Sequence, residues 1–438
     1  MRLTFLLCLL RAAPAAAAVN SLEHIPEDGV ARIGNVSIAR FRDGDAAQRA
    51  AQAAALRAAL ETQAMVILED HGVPQPAIDD AMTEARKFFA LPRAEKDRRK
   101  LPSGYPPRSD ARVTSPRGWG YEVQDEHDGA PVNEWIMVRD NSEHADAARI
   151  ASDDYYTCPE GAEFHSPESN HPEQQDWPAE VPHLRAAAEA YHRRLVPLVD
   201  TLYEMLALAL GVGPDYFTSR AAHSPIWPVK IAHYPPQDPA APPPPEHQRI
   251  AAHYDRTLFS LITTDDPAGS PGGLQILVDR DTEKAVDSRF AENAVWRHVG
   301  GHPGKFVLNV GEMLARWTNE RFRHVVHRVP NPKNATDATL SRMSLLAFVI
   351  PDYVTAVEPL PTCVEPGAAP LYEATWVGEL YNWGSTLDIY DKEKQELMRQ
   401  AQGLYNKKGG QTTFGTTTSI TELLKAPRGC QSPGISHL

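Results

Sequence analysis

Three stretches of the first half carry helical texture. Ala46–Thr62 is Ala-rich with spaced Leu and Arg, which predicts a helix. Gln75–Phe89 predicts a second, closed by Leu91-Pro92. His183–Leu210 is the strongest, with Leu195, Leu198, Val199, Leu202, Met205 and Leu206 at helical spacing and Gly211 and Gly213 to end it. Between the first two, Ala64–Leu68 reads as a short buried strand stopped by the turn His71-Gly72-Val73-Pro74. Residues 100–180, rich in Pro, Gly, Asp and His, predict long connections over a few strands that include Trp135–Val138.

After Gly213 the texture changes. Short β-type runs alternate with Gly/Pro turns: Val229–His233, Arg249–His253, Leu258–Thr264, Leu274–Val278, Val295–Val299, Lys305–Val310, His324–Val329 and Arg342–Val349. Short strands at this spacing predict a sandwich or barrel rather than a parallel sheet. Gly311–Thr318 reads as a turn or two of helix, Pro235–Pro245 as an exposed Pro-rich connection, and Asp388–Gly403 as a helical tail before a polar, Gly/Thr-rich remainder. The division predicted is a candidate targeting segment over 1–20, an N-terminal helical and mixed lobe over 21–215, a β core over 216–360 and a partly loose tail over 361–438.

Composition narrows the function classes. The chain has 438 residues, 42% of them hydrophobic, and a formal charge of −13. That balance argues against a nucleic-acid partner, which needs a basic footprint. No run of about 18 apolar residues predicts a membrane span. Cys8, Cys158, Cys363 and Cys430 are scattered without a CxxC, so neither a disulfide scaffold nor a zinc ribbon is indicated. Arg2, the apolar run Leu3–Leu10 and the small-residue tract Ala12–Ala18 follow the order of a signal peptide or presequence, although Arg11 interrupts them. The C-terminal Ser436-His437-Leu438 is a loose variant of a peroxisomal tripeptide. The two signals conflict, so the compartment is not assigned; a cytoplasmic location follows only if the N-terminal pattern is not functional.

Three features of the β region carry chemistry. In His253-Tyr254-Asp255, residues i and i+2 of a strand share a face, so imidazole and carboxylate can point at one ion. The pattern alone is weak: with 17 His, about one His-x-Asp arises by chance, and His144-Ala145-Asp146 is a second. The run His324–Val329 offers His324 or His327 as a further ligand; three residues apart in a strand they face opposite ways, so only one can serve. Arg342 and Ser344 share a strand face and suit a carboxylate, to which Arg gives charged bidentate bonds and Ser a neutral donor. Two imidazoles and one carboxylate leave adjacent coordination positions open, as non-haem Fe(II) oxygenases require.

At this point the residues resemble a family. From about residue 30 to 405 the chain is similar to the isopenicillin N synthase-like branch of the Fe(II)/2-oxoglutarate-dependent dioxygenases. Its N-terminal cues are Glu69-Asp70-His71-Gly72-Val73-Pro74 and Phe88-Phe89-Ala90-Leu91-Pro92 with Glu95-Lys96. Then come His233-Tyr234-Pro235-Pro236, His253-x-Asp255, Gly273-Leu274-Gln275, Trp317-Thr318-Asn319, His327-Arg328-Val329 and Arg342-x-Ser344, in family order. The resemblance implies a mainly β protein with a double-stranded β-helix (jelly-roll) core and an α/β N-terminal lobe. It implies Fe(II) on His253, Asp255 and His327, with the distal carboxylate of 2-oxoglutarate on Arg342 and Ser344, helped by Tyr234. It further implies O2 as co-substrate, ascorbate as a supporting reductant, and hydroxylation, desaturation or oxidative cyclisation of a small metabolite of specialised metabolism, with release of succinate and CO2. A soluble monomer is expected.

Plainer readings stand beside these. Tyr234 could be a packed strand aromatic, and Arg342 could pair with a surface acid. Arg256 and Lys230 could be solvated charges; pointing inward, they would suit a carboxylate-bearing substrate. Two other functions compete: an Fe(II) oxidase of the same fold that ignores 2-oxoglutarate, and a non-catalytic β-sandwich that binds a metal or a carboxylate.

Overall fold

The computed structural model describes residues 25–99, 119–138, 177–221, 228–245, 247–286, 293–351, 355–377 and 380. The predicted targeting segment, His144, the helical tail over 388–403 and the C-terminal tripeptide lie outside them.

Among the described residues thirteen strands build two main sheets, beside a separate two-stranded pair of Ala356–Val357 with Thr375–Trp376. The thirteen are β1 (Glu27–Val30), β2 (Asn35–Ser37), β3 (Met65–Glu69), β4 (Trp119–His127), β5 (Ala130–Val138), β6 (Val229–Tyr234) and β7 (Ile250–His253), then β8 (Phe259–Thr264), β9 (Gln275–Asp279), β10 (Ala294–His298), β11 (Phe306–Val310), β12 (His327–Val329) and β13 (Arg342–Val349). The larger sheet runs β2-β3-β11-β8-β13-β6-β5-β4 and the smaller β1-β10-β9-β12-β7. Neighbours are antiparallel except β1 with β10 and β2 with β3. This is the expected jelly-roll core, and all eight predicted strands are present. One is shorter than expected: β12 begins at His327, so His324–Val326 lead into the strand rather than belong to it.

The long helices cover the larger sheet. They are α1 (Ala46–Thr62), α2 (Gln75–Phe89) and α4 (Leu184–Leu210), with the short α3 (Arg93–Asp97) and α5 (Glu312–Trp317) beside them in chain order. Helix α1 starts cleanly because Asp45 and Gln48 form a reciprocal capping box. Helix α4 stops at Gly211, whose left-handed backbone (φ 70°) turns the chain out of the helix. Tyr203 of α4 meets Phe259 of β8 edge to face, with centroids 6.1 Å apart. The opposite face of β8, carrying Ser260, Ile262 and Thr264, is thereby directed into the space between the sheets.

Strand register arranges that inner face in rows. Glu122, Trp135, Ala232, Ser344 and Thr264 lie side by side across five strands. The next row is Met137, Lys230, Leu346, Ile262 and Val307, and the one beyond holds Phe348, Ser260 and Asn309. Met137, Lys230, Leu346 and Phe348 are only half-buried within otherwise buried strands. That pattern marks the wall of a hollow interior rather than a filled core.

One predicted connection is regular structure. Strands β4 and β5 form a long hairpin over part of the 100–180 region, turning at Asp128-Gly129, where both residues take positive φ (51° and 76°). Asp-Gly is the residue pair that such a two-residue turn favours.

Candidate active site

His253 ends β7 and His327 opens β12, and the two are directly paired across the smaller sheet. Their rings lie 4.3 Å apart by centroid. Each Nδ1 is paired with a backbone carbonyl, Ala251 O at 2.8 Å and Val325 O at 3.1 Å. Those bonds place the proton on Nδ1 and leave each Nε2 as a lone-pair donor. Both Nε2 atoms turn toward Asp255 Oδ1, at 3.7 Å from His253 and 3.8 Å from His327. One ligand atom from each of the three residues lies within 4.8 Å of the others, close enough to hold one metal ion.

Asp255 is held from the larger sheet. Its Oδ2 accepts from Ser260 Oγ at 2.6 Å and Asn309 Nδ2 at 2.8 Å, which leaves Oδ1 for the imidazoles. Burial works against its charge, but the two imidazoles and these donors outweigh it and keep the carboxyl below the usual range. Desolvation at the site, reinforced by His327, holds His253 below the usual imidazole range. The donor set is two imidazole nitrogens and one carboxylate oxygen, with no thiolate, which suits ferrous iron.

His324 does not join this set. It packs against Tyr254 with the rings tilted, centroids 4.4 Å apart, and among the described residues neither ring nitrogen has a hydrogen-bond partner.

Arg342 and Ser344 sit on the inner face of β13. Arg342 is buried, and its Nη1 donates to Ser344 Oγ at 2.8 Å. The Tyr234 ring lies 5.1 Å from the guanidinium carbon. The acid that Arg342 meets is a buried one: Asp266 accepts from Nε at 3.0 Å and from Nη2 at 2.9 Å. Burial opposes both charges, yet each holds the other ionised. The backbone of Gly273 completes the cradle, since a Cβ there would stand 2.7 Å from Arg342 Nε.

Lys230 faces the same interior. Its ammonium donates to Gln124 Oε1 at 3.0 Å, lies 4.8 Å from the centre of the Trp135 ring, and makes no ion pair among the described residues. Burial pushes it down to about 8. Arg256 is half-buried, and its charge helps to hold Glu312 ionised against burial, behind the contribution of Arg316.

Sequence reasoning missed Asp266, Asn309 and Ser260, whose roles depend on pairings across the sheets. It also missed the lobe-to-core network at Glu134. That carboxylate takes Lys96 Nζ at 2.7 Å, the Tyr121 hydroxyl at 2.6 Å and His233 Nδ1 at 2.8 Å.

Comparison with known proteins agrees with this geometry. The 2OG-Fe(II) oxygenase superfamily matches residues 227–351, and the N-terminal region described as "non-haem dioxygenase in morphine synthesis" matches 35–180. The chain belongs to the 2OG-Fe(II) oxygenase superfamily. It is an Fe(II)- and 2-oxoglutarate-dependent dioxygenase that acts on a small molecule. Validamycin A dioxygenase of Streptomyces hygroscopicus subsp. limoneus is 28% identical over 338 residues, covering 76% of this chain and 80% of that protein. Hyoscyamine 6-dioxygenase of Hyoscyamus niger is 26% identical over 331 residues, covering 75% and 78%. In fold, the chain is similar to a full-length Neurospora crassa protein solved in complex with alpha-KG, with a TM-score of 0.60 at 19% identity over 82% of this chain and 96% of that one. Among the described residues no helix is long and apolar enough to cross a membrane.

Proposed function

We propose that His253, Asp255 and His327 hold the Fe(II), that Arg342 with Ser344 and Tyr234 holds the distal carboxylate of 2-oxoglutarate, and that the substrate is a small carboxylate-bearing metabolite. The observation that carries the substrate class is Lys230, an ammonium without an acidic partner among the described residues, set between Met137 and Leu346 on the hollow inner face. A carboxylate there would gain a charged hydrogen bond, while Met137, Leu346 and Phe348 would meet the apolar body. Arg256, shared with Glu312, is the weaker second cation for the same anion. The named activities of the relatives, on validamycin A and hyoscyamine, support a role in specialised metabolism.

Bound ferrous iron supplies the oxidising chemistry: one atom of O2 enters succinate as 2-oxoglutarate loses CO2, and the other serves the oxidation of an unactivated C–H bond. The chain's own residues position and exclude. Ser260 and Asn309 hold Asp255 Oδ2 and so direct Oδ1 to the metal position. Asp266, Gly273 and Tyr234 hold Arg342 in one orientation. Buried Ile262, Trp135 and Val307 keep water from the wall between the two anchor points. The test is a panel of small organic acids offered to iron-loaded protein with succinate release followed. An acid-dependent rise with one succinate per substrate consumed is expected. Substrate loss without succinate would replace this reading with an Fe(II) oxidase of the same fold.

A further inference from the structure

Two buried guanidiniums lie beside the Tyr234 ring, and among the described residues only that of Arg342 makes an ion pair. The Arg342 Cζ lies 5.1 Å from the ring centroid and the Arg249 Cζ 5.9 Å. Arg342 gives Nε and Nη2 to Asp266, so the pair carries no net charge. Arg249 is only 6% exposed and makes no ion pair among the described residues. Its Nη2 reaches the carbonyls of Pro235 and Leu340 at 3.4 and 3.3 Å, and its Nε is buried with no hydrogen-bond partner among the described residues. Burial and the neighbouring Arg342 push its pKa down to about 10, which still leaves it cationic at neutral pH. A buried cation with unused donors is costly unless an anion arrives to meet it.

On the reading that this pocket takes the distal carboxylate of 2-oxoglutarate, we propose that Arg249 is a second cation of the pocket and supplies the positive charge that the Arg342–Asp266 pair has already neutralised. Arg342 then provides orientation through Nη1 and Ser344, while Arg249, which has no ion pair among the described residues and meets Asp266 and Asp337 only at longer range, provides the further positive charge. The Nε–H of Arg249, buried and without a hydrogen-bond partner among the described residues, is the donor this proposal assigns to the carboxylate. The competing role is purely structural: Arg249 would only tie Pro235 to Leu340.

Anaerobic calorimetric titration of Fe(II)-loaded protein separates the two. The ligands are 2-oxoglutarate and 2-oxobutyrate, which keeps the keto acid end and lacks the distal carboxylate. Arg249→Gln is expected to weaken 2-oxoglutarate by about 20-fold and to leave 2-oxobutyrate within about twofold, as loss of one charge-assisted contact would. Arg249→Lys, which keeps the charge, is expected to lose no more than about fivefold. Unchanged 2-oxoglutarate affinity in Arg249→Gln, or an equal loss for both acids, would overturn the proposal. If Arg249→Gln does not fold, Arg249→Lys decides: retained preference for 2-oxoglutarate supports the charge role, and loss of both acids together overturns it. Wild-type protein that takes neither acid would overturn the co-substrate reading and this proposal with it, a different result from wild-type binding that Arg249→Gln leaves intact.

Discussion

Asn309 Nδ2 donates to Asp255 Oδ2 at 2.8 Å, and through that bond the centre of the larger sheet fixes a carboxylate that follows the last strand of the smaller one. Asp255 therefore reaches the imidazoles with one oxygen already committed. Asn309→Ala is expected to weaken Fe(II) binding by about 10- to 100-fold while the fold survives, as for other residues that orient a metal ligand. Anaerobic Fe(II) titration beside a circular dichroism melt checks it. Unchanged affinity would mean that Asp255 needs no such support.

Gly273 lies against the Arg342 guanidinium, and a Cβ at that position would stand 2.7 Å from Nε and 3.0 Å from Cδ. Gly273→Ala is expected to displace the guanidinium and raise the 2-oxoglutarate concentration needed for half-maximal rate by about tenfold or more, with the primary substrate affected little. Arg342→Ala should raise that requirement further. Separate saturation curves for the two substrates measure the difference, and equal changes in both would point to general distortion.

Lys230 titrates near 8, below its usual 10.5, because burial disfavours its charge. The groups that face it are Gln124, the Trp135 ring, and at longer range Glu122 and Asp255. The sign follows directly: the ammonium is charged below pH 8 and neutral above it. Affinity for a carboxylate substrate should fall about tenfold from pH 7 to pH 9, in step with the protonated fraction. Lys230→Met should bind weakly and without that pH dependence. A wild-type KM that stays flat across this range would remove Lys230 from substrate binding.

Glu134 is buried with Lys96, Tyr121 and His233 around it, and their bonds overcome burial to hold its pKa below 4.5. Its stabilising contribution is therefore present above pH 4.5 and lost as pH falls through the lowered value. Glu134→Gln leaves Lys96 buried without its anion and should cost about 3–5 kcal/mol in urea unfolding, whereas the double replacement Glu134→Leu with Lys96→Met should cost less. The reverse order would show that the network is not the link between lobe and core.

Much of this was legible in the chain because Gly and Pro punctuate the short strands and because Arg-x-Ser keeps its functional atoms on one strand face; His-x-Asp keeps its pair close, although Asp255 lies just past the end of β7 rather than on its face. Trp135–Val138 was expected as a strand, but its pairing into the long β4–β5 hairpin was not, although Asp128-Gly129 marks the turn. The polar composition of its surroundings hid the alternation, and Glu134 in mid-strand makes sense only beside Lys96, 38 residues away. Asp266 meets Arg342 across 76 residues, and Asn309 meets Asp255 across 54. Such partners are chosen by strand order, which no local pattern states. Arg249 carried no signal in the sequence beyond opening a predicted strand, for the same reason: its lack of an ion pair among the described residues is a property of the packed interior.

The most direct measurement is the iron content and succinate output of wild-type protein and Asp255→Ala, each reconstituted anaerobically with Fe(II) and then given 2-oxoglutarate and O2. One iron per wild-type chain with succinate formed, and neither in an Asp255→Ala protein of unchanged circular dichroism, is the expected result. An Asp255→Ala chain that retains one iron and makes succinate at the wild-type rate would contradict the assignment of the centre.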